Sequence, residues 1–180
     1  MLEIVIPATE QYDPVHNLFY QTVEQSLSLE HSLISISKWE MKWNKPFISK
    51  EKKTREETLD YIRCMTLTKN VNPMIYNCIN NSIVDKVNAY IDAPMTATWF
   101  SNKERKRPNR EIITSEVIYY WMIALNIPFE CEKWHLNRLL TLISVCNEKN
   151  APKKKMSKRQ IMSQNRALNE ARRKSLNSKG

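Results

Sequence analysis

The spacing of cysteine and histidine suggests metal binding as the first chemistry to consider. Cys131 and His135 are four residues apart, so on a helix they would share a face, and Cys146 follows eleven residues later. A structural zinc site would take its fourth ligand from Cys64 or Cys78. Zinc sites usually contain a close cysteine pair, and this chain has no C-x-x-C motif. We therefore favour small buried thiols beside a surface histidine, and we expect no metal and no cofactor.

Covalent or acid–base catalysis would need a nucleophile or a carboxylate held beside a base. The three histidines, His16, His31 and His135, show no spacing to serine or cysteine that is typical of a catalytic triad. The chain contains one glycine, Gly180, so it lacks the glycines that a phosphate-binding loop or a dinucleotide-binding fold requires. We therefore predict a protein that is not an enzyme.

Two tryptophans are surrounded by lysines. Trp39 and Trp43 are four residues apart and would share a helix face, and Lys38, Lys42 and Lys45 flank them. We predict that they form an exposed aromatic patch that binds another protein, with stacking on single-stranded nucleic acid as the alternative. The remaining tryptophans, which we expect in the core, are Trp99, Trp121 and Trp134.

The excess positive charge lies at the C-terminal end of the chain. The net charge is +9, and residues 151–180 contain ten of the 28 basic residues and one of the 19 acidic residues, so residues 1–150 are neutral. Such an arm binds an acidic partner or nucleic acid, or it stays solvated until an assembly orders it. The candidate polyanion- or partner-binding residues are Lys153, Lys154, Lys155, Lys158, Arg159, Arg166, Arg172 and Arg173.

Hydrophobic periodicity predicts a mainly α fold of the α+β type. Residues 1–150 form a helical domain with a small N-terminal β-hairpin, and residues 151–180 form a basic linker and helical tail. Residues 2–6 and 18–29 alternate as strands do, and Asp13-Pro14 is typical of a turn. Residues 95–100 are predicted as a further short strand, and residues 101–110 as a charged loop.

Helix signals follow the hairpin. Residues 28–43 favour a helix, although the alternation at 33–37 also allows a strand. Two strongly hydrophobic helices are predicted at about 114–126 and 130–146, packed antiparallel, with the second at the centre of the core. Further helix starts are predicted at Thr54 with Glu57, at Asn72-Pro73, at Ser82 with Asp85, and at Ser157 with Gln160.

The tail helix has a thin apolar face, so we expect it to need a surface that holds it. That face consists of Ile161, Met162, Asn165, Leu168 and Ala171. The chain opens without a secretory signal, and its apolar runs are too short to cross a bilayer. We therefore expect an intracellular protein with reduced thiols and no membrane partner.

Four segments together resemble small proteins encoded in the tail-morphogenesis region of bacteriophages with long non-contractile tails. They are LEHSLISISKWE at 29–40, APMTATWF at 93–100, YYWMIALNIPFE at 119–130 and the closing residues 168–180. The nearest family is that of the tail assembly chaperones, and the resemblance covers most of the chain.

The resemblance implies a non-enzymatic assembly factor that binds the tape-measure protein, the tail-tube protein or both. It also implies an oligomer that acts in the host cytoplasm during virion assembly. Two alternatives remain open: a structural protein of the virion, and a packaging or regulatory protein that binds nucleic acid through the arm at 151–180.

Overall fold

The structure is a computed structural model that describes residues 1–13, 17–49, 51–100, 112–151 and 157–177. Several predicted features therefore lie outside the described residues. These are Pro14 of the predicted turn, the charged loop at 101–110, and Lys153, Lys154 and Lys155 of the arm.

The N-terminal strands form a long antiparallel hairpin in two parts. Its strands are β1 (Leu2–Ile6), β2 (Thr9–Asp13), β3 (Leu18–Thr22) and β4 (Gln25–Leu29). Leu2 pairs with Leu29 and Thr9 with Thr22, so β1–β4 and β2–β3 keep the same register. Pro7 lies at the interruption, where it has no N–H to donate to a partner strand. The predicted hairpin is confirmed, but the single strand predicted at 18–29 is wrong because it divides after Thr22.

Helices make up most of the remaining described residues, which confirms the mainly α fold. Capping boxes begin three of them, at Ser32 with Ser35, at Thr54 with Glu57 and at Ser157 with Gln160. The α-helices are α1 (Leu33–Trp43), α2 (Arg55–Met65), α3 (Asn81–Asp92), α4 (Ser115–Ala124), α5 (Leu136–Asn150) and α6 (Lys158–Leu176). Two 3₁₀ helices occupy Pro73–Cys78 and Phe129–Lys133.

The helix predicted at 130–146 is wrong, because it divides into the Phe129–Lys133 3₁₀ helix and α5. Between them, His135 forms an isolated antiparallel bridge with Ser32. The N–H of Leu136 donates to the carbonyl of His31 at 2.8 Å. A backbone group that bonds to a distant segment cannot also continue the helical ladder, so this non-local pairing ends the helix.

Two local predictions are also wrong. Asn80, rather than Ser82, caps α3, since its side chain accepts from the N–H of Ile83. No strand forms in the described residues 95–100, and Met95 has a left-handed backbone with φ 49°, which does not fit a strand.

The core is centred on α1, which contacts α2, α4 and the Phe129–Lys133 3₁₀ helix. The predicted central position of the second hydrophobic helix is wrong, since α5 buries one face through Leu136, Leu139 and Ile143. Extensive packing of α4 against α5 is also not observed among the described residues.

The chain divides into two compact units, Met1–Asn147 and Glu148–Gly180. Among the residues that the structure describes, the buried hydrophobic ones, from Ile4 to Ile143, all belong to the first unit. In the part of the chain that the structure describes, no helix has both the length and the hydropathy needed to span a membrane.

Candidate binding surfaces

The predicted exposed patch at Trp39 and Trp43 is wrong, because α2 covers this face of α1. Trp39 is 1% exposed, and its Nε1–H donates to the carbonyl of Glu57 at 2.9 Å. Trp43 is half-buried, stacks on Trp39 and donates through Nε1 to Asp60 at 2.9 Å. Lys42 also pairs with Asp60. The two aromatic rings and Lys42 therefore make their contacts within the fold.

A buried carboxylate sets the position of α4. Glu40 of α1 accepts from the backbone N–H groups of Phe47 and Ser115, both at 2.7 Å. Ser115 is the first residue of α4, and Thr114 makes no side-chain capping bond there. The Glu40 charge thus replaces a local cap at the positive end of the helix dipole.

Two histidines meet in the interior. His31 Nδ1 lies 2.5 Å from the Tyr61 hydroxyl, and its ring contacts the edge of His135 at a centroid distance of 5.1 Å. Nearby, the Tyr90 hydroxyl donates to Glu30 at 2.7 Å. Burial, assisted by His135, lowers the pKa of His31 to about 3, and burial also lowers the pKa of His135. Both rings are therefore neutral at pH 7.

The cysteine and histidine set considered for zinc does not form a shared site. His135 has protein partners at both nitrogens, the carbonyl of Tyr90 at 3.0 Å and the N–H of Asn137 at 3.3 Å. Cys131 is a buried free thiol whose pKa burial raises, and Cys146 is a half-buried free thiol on α5. Within the described ranges, no group of three or more metal-binding side chains comes together.

An aromatic surface that the sequence analysis did not identify lies on α4. Tyr120 is 67% exposed, Ile123 is 61% exposed, and Phe129 of the adjoining 3₁₀ helix is 54% exposed. Phe129 lies beside Tyr119, with ring centroids 6.3 Å apart. We call Tyr120, Ile123 and Phe129 the α4 surface. The sequence did contain one signal for this surface, a helix that is apolar around its whole circumference. A small domain covers only one side of such a helix, so the other side remains exposed.

The tail helix α6 buries no side chain, and its functional groups lie on separate faces. Ile161 and Leu168 are seven residues apart and form an apolar stripe. Arg159, Arg166 and Arg173 recur at the same interval about 150° around the helix from this stripe, and we call them the arginine ridge. The predicted residues Lys158 and Arg172 are also exposed on α6. The helix therefore presents an apolar and a cationic surface at once.

Comparison with known proteins provides no independent assignment. No protein-family model, curated protein or solved structure matches this chain.

Proposed function

We propose that this protein is a non-enzymatic assembly factor of long-tailed bacteriophages that binds the tape-measure protein, the tail-tube protein or both. The observation that supports this proposal is α6, a helix capped by Ser157 whose apolar stripe is exposed, with Ile161 at 43% and Leu168 at 50%. A helix that buries no side chain lacks the tertiary packing that supplies most helical stability in proteins, so a partner that covers the stripe would stabilise it. The segment resemblance indicates the kind of partner.

The stripe provides the test of protein binding. The full chain would be co-expressed with tape-measure and tail-tube proteins and purified after nuclease treatment, beside an Ile161→Ser/Leu168→Ser variant. We expect the full chain to recover one of these proteins and the stripe variant to lose most of it, because each substitution removes apolar contact area. Equal capture by the full chain and by the stripe variant, or no capture by either of them, would contradict the proposal.

A second candidate function is nucleic-acid binding, which the arginine ridge favours. Six basic residues and one acidic residue lie on α6, and all of them are exposed. This function predicts that an Arg159→Gln/Arg166→Gln/Arg173→Gln variant loses affinity for DNA and that the logarithm of the affinity falls steeply with salt. The stripe variant is the matched control, because phosphate binding does not require Ile161 or Leu168.

The site of action belongs to the same proposal. We expect an assembly factor to act in the host cytoplasm during virion assembly and to be missing from finished particles. Mass spectrometry of purified virions distinguishes an assembly factor from a structural protein, since stoichiometric retention in the particle would assign the structural role.

A further inference from the structure

The α4 surface belongs to the first unit, Met1–Asn147, and shares no residue with α6. Of the ten residues of α4, Ser115, Ile118 and Met122 are buried against the body. Tyr120 and Ile123 are three residues apart on the opposite side, so they form one continuous outward face. Phe129 of the 3₁₀ helix lies beside Tyr119, the residue next to Tyr120 in α4, so a second element adds an exposed aromatic ring beside this helix.

Acidic groups border this patch. Glu116 lies one helical turn before Tyr120, and Glu132 accepts from the Tyr119 hydroxyl at 2.8 Å. Glu130 is exposed next to Phe129. Hydrogen bonds from its own backbone and from Thr114 lower the pKa of Glu116, which keeps that carboxylate ionised at neutral pH.

The segment that carries this surface is acidic. Residues 115–133 contain three glutamates and one lysine, Lys133, whereas residues 1–150 taken together are neutral. An acidic border around exposed aromatic side chains repels acidic partners and attracts basic ones.

We propose that the α4 surface binds a basic amphipathic helix of another protein. Its apolar side chains would cover Tyr120, Ile123 and Phe129, and its flanking lysines or arginines would face Glu116, Glu130 and Glu132. An amphipathic helix fits because its apolar residues recur at three- and four-residue spacing, and Tyr120 and Ile123 are three residues apart on α4.

The test uses the full chain and a fluorescent synthetic helix of about 20 residues, which is long enough to be helical in water. Its leucine stripe is flanked by lysines, and a second peptide carries glutamines in place of the lysines. By fluorescence anisotropy at low salt, we expect the lysine peptide to bind at least about ten times more tightly than the glutamine peptide. Equal affinities for the two peptides would overturn the proposal.

Surface variants locate the binding. We expect the double variant Tyr120→Ser/Ile123→Ser to lower the affinity for the lysine peptide about tenfold. The control variant Met41→Ser/Leu67→Ser removes exposed apolar side chains elsewhere and should leave that affinity unchanged. The double variant Glu116→Gln/Glu130→Gln changes two exposed residues. It should lower the affinity for the lysine peptide to the affinity for the glutamine peptide. Equal losses in the two serine variants would overturn the assignment. So would a concentration-dependent dimer of the unliganded chain that Tyr120→Ser abolishes, because a second copy would then occupy the surface.

Discussion

Glu40 shows how one residue can join two distant segments. Its carboxylate receives the N–H groups of Phe47 and Ser115 while only 7% of the residue is exposed. We predict that Glu40→Gln lowers the free energy of unfolding by about 2 kcal/mol, because the neutral amide accepts more weakly and turns its NH₂ group toward a donor. Urea denaturation followed by circular dichroism measures this loss.

An exposed glutamate provides the control for Glu40. Glu24 is exposed beside the interruption of the hairpin, so Glu24→Gln should change the free energy of unfolding by less than about 0.5 kcal/mol. If both substitutions had the same effect, the charge of Glu40 would have no special role in holding α4.

His31 makes stability depend on pH. Its pKa falls to about 3 in the folded protein, from about 6.5 in the unfolded chain, so the unfolded state binds the proton more readily. Its contribution is complete above pH 6.5 and is lost as the pH falls from 6.5 towards 3. We predict a loss of about 2 kcal/mol between pH 7 and pH 5, measured by urea denaturation at each pH.

A direct titration assigns this pH effect to His31. In an NMR titration, the His31 ring protons of the folded protein should not show the change of an ordinary histidine near pH 6.5. A His31→Gln variant should have a flatter stability profile between pH 7 and pH 5. An ordinary midpoint for His31 would show that its ring is not buried as a neutral group.

Among the elements, two capping boxes allow a matched comparison. Thr54 begins α2, which contributes Tyr61, Ile62 and Met65 to the core, whereas Ser157 begins α6, which buries nothing. We predict that Thr54→Ala lowers the free energy of unfolding by about 1 kcal/mol, because α2 loses its N-cap hydrogen bond and its buried face is part of the core. Denaturation monitored by tryptophan fluorescence measures this free energy, since Trp39 packs against α2.

The corresponding change in α6 should have a different effect. Ser157→Ala is expected to reduce helical circular dichroism while leaving the tryptophan-monitored transition of the body unchanged. A matching loss of body stability in Ser157→Ala would mean that α6 contributes to the core.

For the whole molecule, the division into two units predicts the effect of a truncation. Removing residues 152–180 deletes ten basic residues and one acidic residue, so the net charge falls from +9 to zero. Every hydrophobic residue that is buried in the described part of the chain remains, and the free energy of unfolding should change by less than about 1 kcal/mol. Urea denaturation measures the stability, and cation-exchange retention, which should be lost, reports the charge. A truncated chain that does not fold would contradict the division.

The oligomeric state also belongs to this scale and remains a prediction. We expect oligomers of the full chain, since the apolar stripe of α6 is exposed and could pair with a second copy. Light scattering after size exclusion measures the mass, and a monomer at high protein concentration would contradict the expectation.

The sequence by itself determined the features that depend on nearby residues. The alternation at Leu2, Ile4 and Ile6 predicted β1, and the capping residues Thr54 and Ser157 predicted the starts of α2 and α6. The concentration of basic charge in residues 151–180 is likewise a property of composition. Such features can be read from the sequence because backbone capping and side-chain periodicity act within a few residues.

Only the tertiary structure decided which faces are covered. Trp39 is buried because α2 packs over it, and the helix predicted at 130–146 is interrupted at His135 because distant residues supply backbone partners there. The exposed side of α4 was hidden in the sequence, because an apolar helix shows no preference for one face until its neighbours are known. Burial and non-local pairing are properties of the assembled fold, so local patterns could not reveal them.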